Sequence, residues 1–162
     1  MTKRWVSLYV ENDAGILAKV SGLFAGKGYN LESLTVGVTE DPTVSRMTIS
    51  LLGDDATYEQ IKKQLNRMVG IIKVIDMTNI GIRSREVLLM KITCQKKEEI
   101  EEVFRMAQAY QMTVSEYNGK DVLLEALNSD KQNDRIIQQF KRFKQVEIVR
   151  SGSAAIEWYE EV

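Results

Sequence analysis

The residues best suited to bind a small molecule lie in one short loop of this 162-residue chain. There, Asn12, Asp13, Ala14, Gly15 and Ile16 join a strand-like segment to a helix-like one. The first N–H groups of a helix have no partner within it and lie at the positive end of its dipole, so this loop is suited to hold a carboxylate. The same residue types also occur as an ordinary helix cap with a glycine that permits the turn. Spacing alone leaves both interpretations open.

Asn30 is the second candidate. It follows Gly28, which is suited to end the helix, and it stands at the start of the next strand-like segment. An asparagine amide both donates and accepts hydrogen bonds, so Asn30 can contact a ligand held between two subunits. Taken alone, it is explained equally well as a loop residue.

The composition disfavours most kinds of catalysis. The chain has no histidine, which is the commonest general base near neutral pH and the commonest metal ligand. Its single cysteine, Cys94, fits a reducing compartment and a small core residue better than a nucleophile. Gly26-Lys27-Gly28 lacks the third glycine of a dinucleotide fingerprint and follows a helix, so we interpret it as a helix cap. We expect no catalytic residue, no metal site and no cofactor site in this chain.

The charge and hydropathy patterns limit the possible partners. With 22 basic and 23 acidic residues the net charge is −1, and neither half of the chain is basic enough to favour binding to nucleic-acid phosphates. No apolar run approaches the roughly 20 residues of a membrane span, and the N-terminal residues lead into a strand pattern rather than a signal peptide. The sequence therefore predicts a cytoplasmic protein that binds neither nucleic acid nor membranes.

The first half of the chain predicts the order β-α-β-β-α-β. Strand-like alternation covers Trp5 to Glu11, Asn30 to Thr39, the segment after Pro42, and Ile71 to Met77. Helical spacing of apolar residues fills the first and third intervals, and Asp54 or Asp55 is suited to begin the second helix. The strand residues expected to face inward are Val6, Leu8, Val10, Leu34, Val36, Val38, Met47, Ile49 and Leu51.

The second half repeats this order. A strand at Val87 to Cys94 precedes a helix, and Asn118-Gly119 suits a tight hairpin turn between the next two strands. Ser129 or Asp130 can cap the last helix, and a final strand closes the unit. The sequence thus predicts an α+β protein of two tandem ferredoxin-like βαββαβ units, each with two helices on one face of a four-stranded antiparallel sheet. The predicted boundaries are residues 1–79 for the first domain, 80–85 for a linker, and 86–162 for the second domain with a short tail.

The second strand lies at a sheet edge in this topology. Exposed edges are an aggregation hazard that proteins usually blunt with lysine or proline, and residues 30–39 contain neither. We expect this edge to pair with its copy in a second subunit, which would form one continuous sheet and a two-fold dimer. A covering loop or the second domain is the alternative explanation.

Several segments closely resemble the small subunits of acetolactate synthase. The most specific is Gly28-Tyr29-Asn30-Leu31-Glu32-Ser33-Leu34-Thr35-Val36, which goes well beyond the looser pattern of other ACT domains, a family of small amino-acid-sensing modules. Ser7 to Leu17 and Ser45 to Ile49 also match, and Arg85 to Ile92 resembles the start of the family's second domain. The middle of the second unit, residues 96–133, and the tail after Gly152 match poorly.

The resemblance implies that the first unit is an ACT domain and that the chain is a non-catalytic regulatory subunit. Such a subunit activates a separate large catalytic subunit and confers feedback inhibition by valine. Thiamine diphosphate, magnesium and FAD are then expected only in the catalytic subunit. The implied effector, valine or a related branched-chain amino acid, lies across a homodimer of N-terminal ACT domains. One subunit holds its carboxylate and ammonium through Asn12, Asp13, Ala14, Gly15 and Ile16, while the other contributes Asn30 and Leu31. Ile16 and Leu31 would line a small apolar pocket.

Two other functions remain as alternatives. A stand-alone ACT sensor would regulate another enzyme or a transcription factor. A ferredoxin-like hydrolase of the acylphosphatase type needs a cation to cradle phosphate in the first loop, and Asn12 to Gly15 contains no arginine.

Overall fold

The computed structural model describes residues 2–158, which divide into two compact units. The first unit comprises residues 2–83 together with residues 153–158, and the second comprises residues 84–152. No helix within residues 2–158 is long and apolar enough to cross a membrane.

The first unit has the predicted β-α-β-β-α-β order. Its elements are β1 (Thr2–Glu11), α1 (Ile16–Gly26), β2 (Leu31–Val38), β3 (Val44–Gly53), α2 (Asp55–Leu65) and β4 (Ile71–Asp76). The strands form one antiparallel sheet in the order β2-β3-β1-β4. The prediction that the second strand lies at a sheet edge is therefore confirmed.

The core of the first unit lies between the sheet and both helices. The fully buried strand residues include Val6, Leu8 and Val10, and the helices contribute Val20 and Ile61 to the same cluster. Both helices therefore pack on one face of the sheet, as the alternation predicts.

The inward-facing prediction is wrong for two residues of β2. Val36 and Val38 are 45% and 58% exposed. The reason is their place on an edge strand, because only the first half of β2, at Leu31 and Leu34, packs against the core.

The second unit repeats the arrangement. Its elements are β5 (Ile82–Thr93, whose first two residues belong to the first unit), α3 (Lys97–Ala109), β6 (Thr113–Tyr117), β7 (Asp121–Asn128), α4 (Asp130–Phe140) and β8 (Val146–Arg150). The sheet order is β6-β7-β5-β8, and the predicted hairpin turn is present with Gly119 at φ 93°. Cys94 is a core residue, and burial raises the pKa of its thiol. The predicted fold class is confirmed for both units.

The C-terminal tail departs from the predicted domain assignment. The sequence places it with the second domain, whereas residues 153–158 pack on the first unit and include a short strand, β9 (Ala154–Glu157). We call residues 153–158 the strap. Its contacts include backbone bonds to small polar side chains, such as Ser153 N to Ser33 Oγ at 2.8 Å, and these leave no periodic pattern in the sequence.

Candidate functional site

Residues 12–16 form a tight turn that leads into α1. Gly15 precedes the helix with φ 86°, a left-handed conformation that other residues rarely adopt. A Cβ at this position would meet no atom within 4 Å, so the backbone conformation and not crowding requires the glycine. Asp13, Ala14 and Gly15 are exposed, so an external ligand can approach the start of the helix here.

No side chain in the described part of the chain caps α1, so the helix-cap interpretation of Asn12 and Asp13 is wrong. The first helical bond from the turn runs from Lys19 N to Gly15 O at 3.0 Å. By contrast, Asp54 caps α2 by accepting from Thr57 N at 2.7 Å. The start of α1 thus keeps the positive end of its dipole accessible to an external anion.

The Asn12 side chain ties the turn to the β2–β3 connection instead. Its Nδ2 donates to Pro42 O at 3.0 Å, and its Oδ1 accepts from Ser45 Oγ at 3.0 Å. The backbone N–H of Asn12 also donates to Thr43 O at 2.8 Å. An amide has two donors and an oxygen with two lone pairs, so about half of its bonding capacity is left for a ligand. No pattern in the sequence predicts that Asn12 bonds to Pro42, Thr43 and Ser45.

Ile16 anchors the turn in the core. Only 7% of it is exposed, and its Cδ1 lies 2.8 Å from the position that a Cβ on Gly70 would take. Gly70 itself has φ 94°, so this position requires glycine both for its backbone and for the Ile16 side chain. The sequence indicates Gly70 only as a helix end, and its role beneath the candidate site was missed.

Asn30 and Leu31 lie at the opposite end of the sheet from the turn. Leu31 pairs with Leu51, which pairs with Arg4 near the beginning of β1, whereas the turn follows the end of β1. The 11 residues of α1 separate the two groups by about 16 Å of helix. The structure therefore does not bring the two groups of candidate residues together within one chain. Asn30 is exposed and Leu31 is half-buried against the core.

Residues 2–158 contain no group of three or more histidine, cysteine, aspartate or glutamate side chains that could hold a metal ion. A partly buried charged group of the first unit lies away from the turn, at Asp76, which accepts from Lys62 Nζ at 2.7 Å and from Tyr58 OH at 2.9 Å. Partial burial alone would raise the pKa of Asp76, but these bonds and one from Thr78 N outweigh it and lower the pKa to about 2.

The fold and the open turn define the first unit as an ACT-type domain, a ferredoxin-like unit with an accessible helix start after its first strand. A family model described as "AHAS small subunit-like ACT domain" matches residues 6–73, and one described as "Small subunit of acetolactate synthase" matches residues 85–158.

Known proteins extend this match over nearly the whole chain. An acetolactate synthase isozyme 3 small subunit from Salmonella typhimurium is 40% identical over 93% of this chain and 92% of its own length. An acetolactate synthase small subunit from Aquifex aeolicus is 34% identical over 95% of this chain and 80% of its own. The crystal structure of an acetolactate synthase small subunit from Thermotoga maritima, 30% identical, superposes with a TM-score of 0.89 over 99% of this chain and 100% of its own. The chain belongs to the acetolactate synthase small-subunit family.

Proposed function

We propose that this chain is the regulatory subunit of an acetolactate synthase. In this role it activates a separate catalytic subunit and confers feedback inhibition by valine or a related branched-chain amino acid. Thiamine diphosphate, magnesium and FAD belong to the catalytic subunit, and this chain contributes no catalytic residues. The complex is cytoplasmic. The family match through residue 158 favours this function over a stand-alone ACT sensor, because it includes the second unit.

The observation that carries the proposal is the uncapped helix start at Gly15. An amino-acid carboxylate placed there accepts from backbone N–H groups at the positive end of α1. The exposed Asp13 carboxylate and the remaining capacity of the Asn12 amide lie beside that position and suit the ammonium group. A zwitterion therefore finds both of its charges matched at one turn.

A second copy of the chain completes the site. β2 is an edge strand, and its outer half exposes Val36 and Val38 beside the free edge. If two copies of β2 pair antiparallel about a two-fold axis, the start of the partner's β2 lies next to the end of this one. Asn30 and Leu31 of the partner subunit then reach the sheet end that holds the turn, which their own chain cannot do. Leu31 supplies an apolar contact suited to a branched aliphatic side chain.

Regulation follows by linkage. An effector that binds across the dimer favours one arrangement of the two subunits, and the state of the catalytic subunit alters effector affinity by the same factor. Couplings of this kind are typically about 1–3 kcal/mol, enough to change an affinity severalfold to about a hundredfold.

Calorimetric titration tests the proposal directly. Valine, leucine and isoleucine are titrated into the purified chain, alone and with the catalytic subunit, and the oligomeric state is measured by sedimentation. We expect a dimer that binds at least one of these amino acids, and no acetolactate formation by the isolated chain supplied with thiamine diphosphate and pyruvate. A monomer indifferent to all three amino acids would refute the proposal.

Subunit hybrids test the shared site. Gly15→Asp blocks the turn, and Asn30→Asp blocks the contribution from the other subunit, so neither homodimer is expected to bind valine. A dimer with one copy of each variant has one site with both defects and one site with neither. Mixing the two variants should therefore restore binding. If mixing restores nothing while both variants stay dimeric, the site lies within one chain.

A further inference from the structure

The strap is a second attachment for the edge strand β2. Ser153 N donates to Ser33 Oγ at 2.8 Å, and Ser153 O accepts from Thr35 Oγ1 at 3.0 Å. Ser33 and Thr35 are two positions apart on β2, so they lie on the same face, and Ser153 bridges them through both of its backbone groups. Ser153 is 1% exposed.

Further contacts hold the strap across the sheet. Ala155 N donates to Thr48 Oγ1 of β3 at 3.2 Å. Arg46 of β3 bonds Glu157 at 2.6 Å and also donates to Ser7 Oγ at 2.8 Å and to Tyr9 OH at 3.1 Å. Burial alone would raise the pKa of Glu157, but the bond from Arg46 outweighs it and holds the pKa below its usual value. The strap therefore bonds to both β2 and β3, and Arg46 links it in turn to β1.

The last residue of the strap, Trp158, contacts the backbone at Gly81. Trp158 N donates to Gly81 O at 2.9 Å. A Cβ on Gly81 would lie 2.4 Å from Trp158 O, a backbone atom that cannot move aside without displacing the strap. Gly81 therefore tests the strap without altering β2 or the turn.

The strap attaches β2 near its irregular beginning, where Glu32 also pairs with Lys3 of β1 at 3.1 Å. β2 pairs with β3 on one side only, and the pairing is irregular between Leu31 and Ser33. An interrupted ladder on an edge strand holds its residues less firmly than a regular one. Asn30 and Leu31 precede Ser33, the first side chain that the strap contacts, with only Glu32 between them and it.

We propose that residues 153–158 position the effector site by holding the start of β2, so that displacing the strap weakens the binding of the amino acid. This proposal rests on the proposed function, because it assigns a role to Asn30 and Leu31 in ligand binding. Ser33, Thr35, Ser153 and Gly81 are then positioning residues, which act on the ligand only through β2.

The hold on β2 is tested first without any ligand. Gly81→Ala is compared with Gly22→Ala, a control whose new Cβ meets no atom within 4 Å. Hydrogen exchange of the backbone amides is followed in the full-length chain. We expect Gly81→Ala to speed exchange in the first residues of β2 by about tenfold and to leave α2 unchanged, while Gly22→Ala changes neither. Equal exchange of β2 in the two variants would overturn the proposal, whatever the chain binds.

Valine titration then tests the consequence. We expect Gly81→Ala and Ser33→Ala to weaken valine binding by about 5–20-fold, within the usual range for coupled sites. Ser33→Thr keeps the hydroxyl that accepts from Ser153 N and should restore most of the affinity, which a general loss of stability would not predict. Faster exchange in β2 with unchanged affinity would refute the positioning role and leave the proposed function intact. No binding by the unaltered chain would instead refute the proposed function.

Discussion

The two units share one fold but differ at the loop between the first strand and the first helix. In the first unit, Gly15 adopts φ 86° and no side chain of the described residues caps α1. In the second unit, the loop before α3 contains no glycine, and the Glu99 carboxylate accepts from Gln95 N at 2.6 Å. No described side chain caps α3 either, but its first turn carries the carboxylates of Glu98 and Glu99, which complement the positive end of the helix dipole. The first turn of α1 has no acidic residue, so the first unit leaves that place to an external carboxylate. Repetition of a fold does not repeat its binding site.

The same contrast extends to the buried charges. In the second unit, Glu86 is 4% exposed and bonds Arg150 at 2.5 Å and Asn133 Nδ2 at 2.9 Å. These groups satisfy one another inside the unit, as buried charges must. In the first unit the carboxylates of the Lys62–Asp76 and Arg46–Glu157 pairs are more exposed than that of Glu86, at 33% and 20%. We therefore expect substitutions at the turn of the first unit to act mainly on binding, and those at the buried pair of the second unit mainly on stability.

The largest expected effect is on ligand binding at the turn. Gly15→Asp should weaken valine binding by roughly 100-fold or more, because it places a carboxylate beside that of the ligand. Gly15→Asn is the matched control, since it has the same shape and the same backbone strain without the charge. Calorimetry of both variants measures the difference. Equal affinities for valine in the two variants would contradict an anion site at the helix start.

Breaking the buried ion pair should destabilise the second unit. Arg150→Met leaves the Glu86 carboxylate without its cation and should lower the free energy of unfolding by about 2 kcal/mol, less than for a fully buried pair because Arg150 is partly exposed. Both tryptophans, Trp5 and Trp158, lie in the first unit. Unfolding in urea followed by circular dichroism should therefore show a transition at lower urea concentration in Arg150→Met, whereas the transition followed by tryptophan fluorescence should not move. A shared shift of both signals would show that the two units unfold together.

Asp76 should make the first unit sensitive to acid. Its pKa is about 2 in the folded protein and 3.8 ordinarily, so its stabilising effect is present above about pH 4 and is lost as the pH falls toward 2. Asp76→Asn should lower the free energy of unfolding by about 1.5 kcal/mol at pH 7 and flatten its dependence on pH below 4. Tryptophan fluorescence in urea at several pH values measures both. If the free energy of unfolding of Asp76→Asn depended on pH below 4 as steeply as that of the unaltered chain, other carboxylates would be responsible for the acid sensitivity.

The smallest expected effect is at Glu99 in the first turn of α3. Glu99→Ala should lower the free energy of unfolding of the second unit by about 1 kcal/mol or less, since it removes a carboxylate from the first turn of α3 and its bond from Gln95 N, just before the helix. Valine affinity should not change. Circular dichroism in urea and calorimetry measure the two quantities, with Glu98→Ala, one residue earlier on α3, as the control. If Glu99→Ala created a second valine site, the glycine turn of the first unit would not be needed for binding.

Much of the fold could be predicted from the sequence because its signals are local. Alternation identified Val6, Leu8 and Val10 as buried strand residues, and Asn118-Gly119 identified a hairpin turn that the structure contains. Alternation failed at Val36 and Val38, because exposure on an edge strand depends on which elements reach that far. The candidate turn was also recognisable, although its residue types fitted a cap equally well.

By itself, the sequence determined the order of elements, the fold class and the place of the glycine turn. These depend on residues that are neighbours along the chain. The tertiary structure alone decided that α1 has no side-chain cap, that the Asn12 amide bonds to Pro42 and Ser45, and that the strap lies on the first unit. Each of these depends on groups 30 or more residues apart, such as Thr35 and Ser153, whose separation is 118. Such contacts form only when the folded sheet brings distant segments together, and no local pattern of residue types encodes them.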